Sequence, residues 1–137
     1  MDEKFLIDTN IVIYYLDGKI PETHFEKVSQ IFEKSFNIST ITKVEVLGWH
    51  KITPQEKFRI GNFIKSANIY YIDNVVENKT IEIKQENKIS IPDALIAATA
   101  LINNFTIVTR NEIDFKKINS LKIYNPFFEI DNKNINP

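Results

Sequence analysis

The sequence predicts an α/β fold in which helices cover a parallel sheet. Short apolar runs with strand-forming residues alternate with longer amphipathic segments, an order typical of parallel strands joined by helices. The chain has 137 residues, 43% of them hydrophobic, which suits a single domain with one core. Its three glycines form no glycine-rich loop, and this excludes the Rossmann and P-loop classes of nucleotide-binding protein.

The predicted strands are short runs rich in isoleucine, valine, phenylalanine and tyrosine. A helical segment separates each strand from the next, so we expect neighbouring strands to lie parallel. The strands are Lys4–Asp8, Phe36–Ser39, Asn68–Ile72, Thr106–Thr109 and Leu121–Tyr124.

The predicted helices have apolar residues three or four positions apart, bounded by start and stop signals. Gly18 ends the first helix and Pro21 precedes the second, whose Phe25, Val28 and Phe32 share one face. The helices are Asn10–Leu16, Glu22–Ser35, Lys43–Lys51, Pro54–Ser66, Val75–Asn87, Pro92–Asn103 and Glu112–Ile118.

Charge and composition narrow the class of protein further. Because 17 basic residues are matched by 18 acidic ones, contact with a nucleic acid would need a local basic patch. The absence of cysteine excludes disulfides and thiolate chemistry. The charged start Met1–Lys4 is unlike a signal peptide, and no run approaches the roughly 20 apolar residues of a membrane span. We therefore expect a cytoplasmic domain at residues 1–130 with a polar, frayed tail at residues 131–137.

Four carboxylates lie where an apolar run gives way to helix-like sequence, namely Asp8, Glu45, Asp93 and Asp114. In a parallel α/β sheet these junctions share the carboxyl edge, where open sheets place their ligand crevice. Glu45 can also fall one turn inside its helix. The four acids are therefore expected to converge in space although they are far apart in the sequence.

Taken singly, each of the four acids also has a purely structural explanation. Asp8 can cap the helix that follows it, and the spacing of Thr42 and Glu45 matches a capping box. A helix that starts at Pro92 would place Asp93 in its first turn, where the helix dipole favours an anion. In the last segment, the residue three positions before Asp114 is an asparagine that can serve as N-cap.

Taken together, the four acids point to a metal site. Two carboxylates about 4 Å apart repel by roughly 4 kcal/mol at an effective dielectric near 20, so a bare cluster is costly. Oxygen ligands without cysteine or nearby histidine favour a hard cation, Mg²⁺ or Mn²⁺. A metal-dependent nuclease is the function that this pattern favours.

The order of these motifs resembles that of PIN-domain ribonucleases, and the length of the chain resembles the VapC-type toxins of toxin-antitoxin pairs. The resemblance spans Phe5 to about Phe127. It is carried by Asp8-Thr9-Asn10, Thr42-Lys43-Val44-Glu45, Pro92-Asp93-Ala94-Leu95-Ile96-Ala97-Ala98 and Thr109-Arg110-Asn111 followed by Asp114-Phe115.

The resemblance implies a PIN-like fold with a five-stranded parallel sheet, and an endoribonuclease that hydrolyses RNA with Mg²⁺, for which Mn²⁺ can substitute. It implies that the four acids bind the metal, and that the chain is a homodimer held inactive by a small antitoxin protein. It also implies that Thr109 and Asn111 support the site. Thr9 and Asn10 flank the first acid and either support the site by hydrogen bonds to the carboxylates or cap the first helix. Such an antitoxin peptide is expected in a groove lined by the first two helices.

Other residues near the motifs are candidates either for contact with RNA or for packing. Arg110 and Lys43 are candidates for contacts with RNA phosphates, which position the substrate without reading its sequence. Trp49, Phe58 and Phe63 follow helical spacing and are therefore expected in the core or at an oligomer interface, in preference to a role in stacking on bases.

Two alternatives to the toxin remain open: a non-catalytic PIN-like interaction module, and a housekeeping PIN nuclease without an antitoxin. A phosphatase of the haloacid-dehalogenase type is disfavoured because Asn10 stands where its second acid is needed.

Overall fold

The computed structural model describes residues 2–132, which form strands and helices in alternation. The strands are β1 Phe5–Ile7, β2 Asn37–Ser39, β3 Asn68–Tyr70, β4 Thr106–Val108 and β5 Lys122–Tyr124. The helices are α1 Thr9–Leu16, α2 Glu22–Lys34, α3 Thr40–Leu47, α4 Pro54–Ile64, α5 Asn74–Glu86, α6 Ile91–Asn103, α7 Glu112–Phe115 and α8 Phe128–Asn132.

The strands pair in parallel, as predicted, but in two ladders. One ladder has the order β1-β4-β5, with Phe5 opposite Thr106 and Val108 opposite Tyr124. The other joins β2 to β3. The α/β class and its flanking helices are confirmed, whereas the expected single five-stranded sheet is wrong.

Side chains explain why the ladder stops between β1 and β2. The Phe5 N–H donates to Ser35 Oγ at 2.9 Å, and Asn37 Nδ2 donates to the Phe5 carbonyl at 2.9 Å. Asn37 Oδ1 in turn accepts from Asn68 Nδ2 at 3.1 Å. Ser35 and Asn37 therefore satisfy the backbone groups that a neighbouring strand would otherwise pair.

The main sheet is buried on both faces, because successive side chains of a strand point to opposite sides. On one face, Ile7 and Val108 join a cluster with residues of α1, α2 and α4. On the other face, Leu6 and Ile107 join a cluster with residues of α5 and α6 and with Phe115 of α7. The carboxyl ends of β1 and β4 consequently emerge between two packed layers.

Element boundaries differ from the prediction where a cap fixes them. Ser39 caps α3, so the helix begins at Thr40 and Glu45 lies more than one turn inside it. Ser90 caps α6, so the helix begins at Ile91 and not at Pro92. The capping-box interpretation of Glu45 is therefore wrong.

The C-terminal boundary also differs from the prediction. Helix α8 was not predicted, and it contains Asp131 and Asn132, which the sequence assigned to a frayed tail. Residues 133–137 of that tail lie outside the described residues. No helix within residues 2–132 has the length and apolarity that a membrane crossing needs.

We predict that Asn37→Ala lowers the free energy of unfolding by about 1–2 kcal/mol, because the buried Phe5 carbonyl loses its 2.9 Å hydrogen bond and keeps only the 3.4 Å bond from Ser35 Oγ. Urea denaturation measures the change. The control is Asn68→Ala, which removes one bond from an exposed residue and should cost less. A stability of Asn37→Ala equal to that of the wild type would mean that the side-chain bridge between β1 and β2 contributes little.

Candidate active site

Asp8 lies at the end of β1 and caps α1. Its Oδ1 accepts from the Thr9 N–H at 2.8 Å, and its Oδ2 accepts from Thr109 Oγ1 at 2.7 Å. The pKa of this buried carboxyl is raised to about 6, first by burial and then by the charges of Asp93 and Glu45, against the lowering effect of the two hydrogen bonds. Asp8 thus both caps α1 and lies within the electrostatic influence of Asp93 and Glu45.

Asp93 lies in the first turn of α6, where its N–H donates to Ser90 Oγ at 3.3 Å. Burial raises the pKa of the Asp93 carboxyl, and the charges of Asp114 and Glu45 raise it further. Asn111 Nδ2 donates to Asp93 Oδ2 at 3.4 Å and to Asp114 Oδ2 at 3.2 Å. One amide therefore bridges two of the four acids.

Glu45 reaches the same edge from within α3. Thr9 Oγ1 donates to Glu45 Oε1 at 2.6 Å and also lies 3.2 Å from Oγ1 of the buried Thr42. Thr42 precedes Glu45 by three residues, so both lie on the face of α3 that meets α1. Glu45 is directed by Thr9 and not by a capping box.

Asp114 lies at the rim of the cluster, in α7. Its N–H donates to Asn111 Oδ1 at 3.4 Å, the capping bond expected from the sequence. Lys117 Nζ lies 3.3 Å from Asp114 Oδ1. The hydrogen bond from Asn111 and then the contact with Lys117 lower the pKa of the Asp114 carboxyl. Asp114 thus ionises readily, unlike Asp8 and Asp93.

The four acids share one electrostatic field, since each raised pKa reflects the charges of other members of the set. Among residues 2–132, however, no three acidic or histidine side chains stand close enough together to hold an ion as they are. Each carboxylate accepts a hydrogen bond from the side chain of Thr9, Thr109 or Asn111. Their donor chemistry, oxygen only and strongly negative, fits a hard divalent cation.

The other residues predicted for the site divide into two groups. Thr9, Thr109 and Asn111 each donate to one or two of the four acids. Asn10 is exposed and lines a groove beside Glu45. The sequence assigned Thr42 to a capping box, whereas in the structure its hydroxyl lies beside that of Thr9. Ser90 was missed, although a serine just before the Ile-Pro segment is a signal for an N-cap.

Arg110 is not directed at the acids. Its Nη2 lies 2.7 Å from Asp131 Oδ1 and its Nε 3.1 Å from Asp131 Oδ2, a bidentate pair. Its Nη1 donates to the Tyr14 hydroxyl at 3.3 Å, and its guanidinium lies 4.3 Å from the centre of the Phe127 ring. Because Asp131 already matches its charge, we assign Arg110 to fastening α8 in place of the expected phosphate contact.

Lys43 lies on α3 only two residues from Glu45, which places the two side chains on different sides of the helix. It lines a cleft between α3 and α4 together with Lys57 and Lys65. Lys43 is thus separated from the acids by the body of its own helix.

An apolar groove of about 420 Å³ opens beside the acids. It is lined by residues of α1, α3 and α4, among them Ile13, Glu45 and Ile60, and by Trp49 after α3. Trp49 is 51% exposed and Phe58 is 74% exposed, so neither lies in the core, and the alternative of an oligomer interface stays a prediction for both. Phe63, by contrast, packs against the core as expected.

Comparison with known proteins finds a relative named as a ribonuclease and solved structures of toxin complexes. "Ribonuclease VapC" of Rickettsia bellii (strain RML369-C) is 27% identical over 132 residues, covering 86% of this chain and 92% of the relative. A toxin-antitoxin complex from Klebsiella pneumoniae superposes with a TM-score of 0.73 at 28% identity, covering 90% of this chain and 98% of that one. DNA-bound VapBC from Salmonella typhimurium superposes with a TM-score of 0.78 at 25% identity, covering 91% and 99%.

The family comparison covers most of the chain, including all four acids. The family model of the PIN domain matches residues 5–121, and this chain therefore belongs to the PIN domain family.

Proposed function

We propose that this protein is a divalent-metal-dependent endoribonuclease and the toxin of a toxin-antitoxin pair. The observation that carries the proposal is the convergence of Asp8, Glu45, Asp93 and Asp114 in one field, in which burial and mutual charge raise the pKa of Asp8 and Asp93. Such perturbed carboxylates are typical of functional sites. The relative named Ribonuclease VapC supports RNA as the substrate.

Mg²⁺, or Mn²⁺ in its place, is the cation that these oxygen donors would hold. When bound, such an ion lowers the pKa of water and stabilises the charge that develops at phosphorus and on the departing oxygen. Asp8, Glu45, Asp93 and Asp114 are the residues that would hold this ion, because their carboxylates influence one another at the same edge of the domain.

Three neighbouring residues orient these carboxylates through hydrogen bonds. Thr109 and the Thr9 N–H fix the two oxygens of Asp8, and Asn111 holds Asp93 and Asp114 with one amide group. Hydrolysis then adds water across the P–O3′ bond. The attacking water loses a proton, O3′ gains one, and the products carry a 5′-phosphate and a 3′-hydroxyl.

The solved neighbours are toxin-antitoxin complexes, and this supports an antitoxin partner for this chain. The apolar groove beside the acids would accept an antitoxin segment. It is formed by α1, α3 and α4, not by the first two helices as expected from the sequence. A peptide there could direct a basic side chain at Glu45 and neutralise the site.

A second copy of the chain is a further expected partner. Val44 and Ile91 are 58% and 61% exposed, and each lies within two residues of one of the four acids. Apolar side chains at such exposed positions would be covered in a homodimer. An RNA substrate would place this assembly in the cytoplasm.

We predict that Asp8→Asn and Asp93→Asn each reduce magnesium-dependent RNA cleavage by at least a hundredfold, because each removes a charge that the cation needs without changing side-chain size. Cleavage of total RNA by purified protein measures the effect. Glu33→Gln, an equal change of charge on the exposed part of α2, should leave cleavage unchanged. Wild-type rates in either aspartate variant would exclude the four acids as the catalytic site.

The metal-free protein should also show the cost of ionising Asp8. Its pKa of about 6 in the folded state exceeds the ordinary value of 3.8. The cost of ionising Asp8 in the fold therefore grows as pH rises from about 4 to about 6, is complete above pH 6, and is relieved as pH falls. The difference between these two pKa values corresponds to a cost of about 3 kcal/mol in the free energy of unfolding at neutral pH.

We therefore expect Asp8→Asn to be more stable than the wild type at pH 7 in EDTA. This difference should shrink by about 1–2 kcal/mol between pH 7 and pH 5. Urea denaturation at both pH values measures it, and Mg²⁺ should stabilise only the wild type. A difference that does not depend on pH would contradict the assignment of the raised pKa to Asp8.

Expression in a host without the cognate antitoxin should arrest growth, whereas expression of Asp8→Asn should not. Co-expression of a small antitoxin encoded beside the gene should restore growth, and the two proteins should co-purify. Normal growth with abundant folded wild-type protein would favour a housekeeping nuclease or a non-catalytic module over a toxin.

A further inference from the structure

A second cleft, of about 450 Å³, lies between α3, α4 and β3. We call it the basic cleft. Its lining includes Lys43, Lys57, Phe58, Gly61, Asn62 and Lys65, together with apolar residues of α3, α4 and β3.

All charged side chains that line the basic cleft are positive. Its lining contains three lysines and no acidic residue. Each of four other surface clefts carries at least one aspartate or glutamate. Within residues 2–132, Lys43, Lys57 and Lys65 take part in none of the ion pairs. In a chain of nearly neutral total charge, this cleft is a local concentration of uncompensated positive charge.

The spacing of α4 explains how the lysines come to share one surface. Lys57, Gly61 and Lys65 follow one another at intervals of four residues, so they lie on one face of the helical path. At about 1.5 Å per residue, the two lysines are separated by about 12 Å along the axis. A Cβ built on Gly61 would meet no atom within 4 Å, so the floor between the lysines is open.

Two uncharged groups complete the surface. Phe58 is 74% exposed, so most of its aromatic ring faces solvent. Asn62, also exposed, supplies an amide that can donate and accept. Positive charge beside an aromatic face is the combination with which proteins bind single-stranded nucleic acid.

The basic cleft lies across α3 from the four acids. Lys43 and Glu45 are two residues apart on that helix, and an α-helix is about 10–12 Å across. A strand whose scissile phosphate lies at the acids would therefore reach the basic cleft with nucleotides only a few positions away.

We propose that the basic cleft binds the sugar-phosphate backbone of the RNA substrate next to the cleavage site. This proposal rests on the proposed ribonuclease function and names the surface that holds the strand. Lys43, Lys57 and Lys65 contact phosphates, and Phe58 stacks on a base.

The test measures binding of a fluorescent single-stranded RNA in EDTA as a function of salt, with every protein carrying Asp8→Asn to prevent cleavage. Adding Lys57→Glu and Lys65→Glu should weaken binding at least tenfold. It should also reduce the slope of log K against log salt by about 1.4, because each lost phosphate contact on a single strand contributes about 0.7.

The matched control is Lys19→Glu with Lys34→Glu, an equal change of net charge at exposed positions. Lys34 lies in the last turn of α2 and Lys65 at the C-cap of α4, so both pairs of changes lose a favourable interaction with a helix dipole. The control should bind as tightly as Asp8→Asn alone. Circular dichroism verifies folding, and Lys57→Gln with Lys65→Gln replaces the charge reversal if that variant does not fold.

Two single substitutions separate charge from shape. Gly61→Asp should weaken binding by placing a carboxylate on the floor of the cleft, whereas Gly61→Ala should not, since its methyl group has space. Phe58→Ala should weaken binding about tenfold with an unchanged salt slope, because stacking involves no counterion release.

The outcomes distinguish the two proposals. If Asp8→Asn alone binds no RNA, both the ribonuclease function and the basic cleft are overturned. If it binds RNA but the cleft variants behave like the control, only the cleft proposal is overturned. Loss of antitoxin co-purification with intact RNA binding would also overturn it, since the cleft would then be a protein-binding surface.

Discussion

The ionised carboxylate of Asp8, fixed at the buried end of β1, is the constraint around which the site is arranged. A buried charge needs hydrogen bonds, and both oxygens of Asp8 have one, from Thr9 and from Thr109 at the end of β4. Because β1 and β4 are paired along their length, this hydroxyl is in place without further adjustment. The pairing of the strands therefore determines the position of the charge.

The same carboxylate remains costly after these bonds are made. A cost of about 3 kcal/mol is a large fraction of the roughly 5–15 kcal/mol that stabilises a typical domain. The neighbouring acids increase this cost, since the charges of Asp93 and Glu45 also raise the pKa of Asp8. A chain selected for stability alone would place an amide at this position. The proposed function accounts for this charge, because a bound cation would offset the cost of ionising Asp8.

Local patterns predicted the strands and most of the helices, because these elements depend on residues that are neighbours in sequence. The position of the acids was predicted only in part: Asp8 follows strand β1 as expected, whereas Asp93 follows helix α5 and not a strand. The parallel order followed from alternating strands and helices, and the Asn111 cap of α7 followed from its spacing to Asp114. Long-range side-chain partners were not foretold. Neither the bonds of Ser35 and Asn37 with Phe5 nor the pair of Arg110 with Asp131 has a signature in the sequence, since each joins distant segments. Helix α8 was missed for the same reason.

The single tryptophan of the chain is Trp49, and its half-exposed place in the groove beside the acids decides what its fluorescence reports. An indole that is already in contact with water changes its emission little when the domain unfolds. The emission of Trp49 should change instead when a partner binds in the groove and shields the indole from water. In this protein, intrinsic fluorescence is consequently a label for occupancy of the groove, and folding has to be followed by the backbone signal.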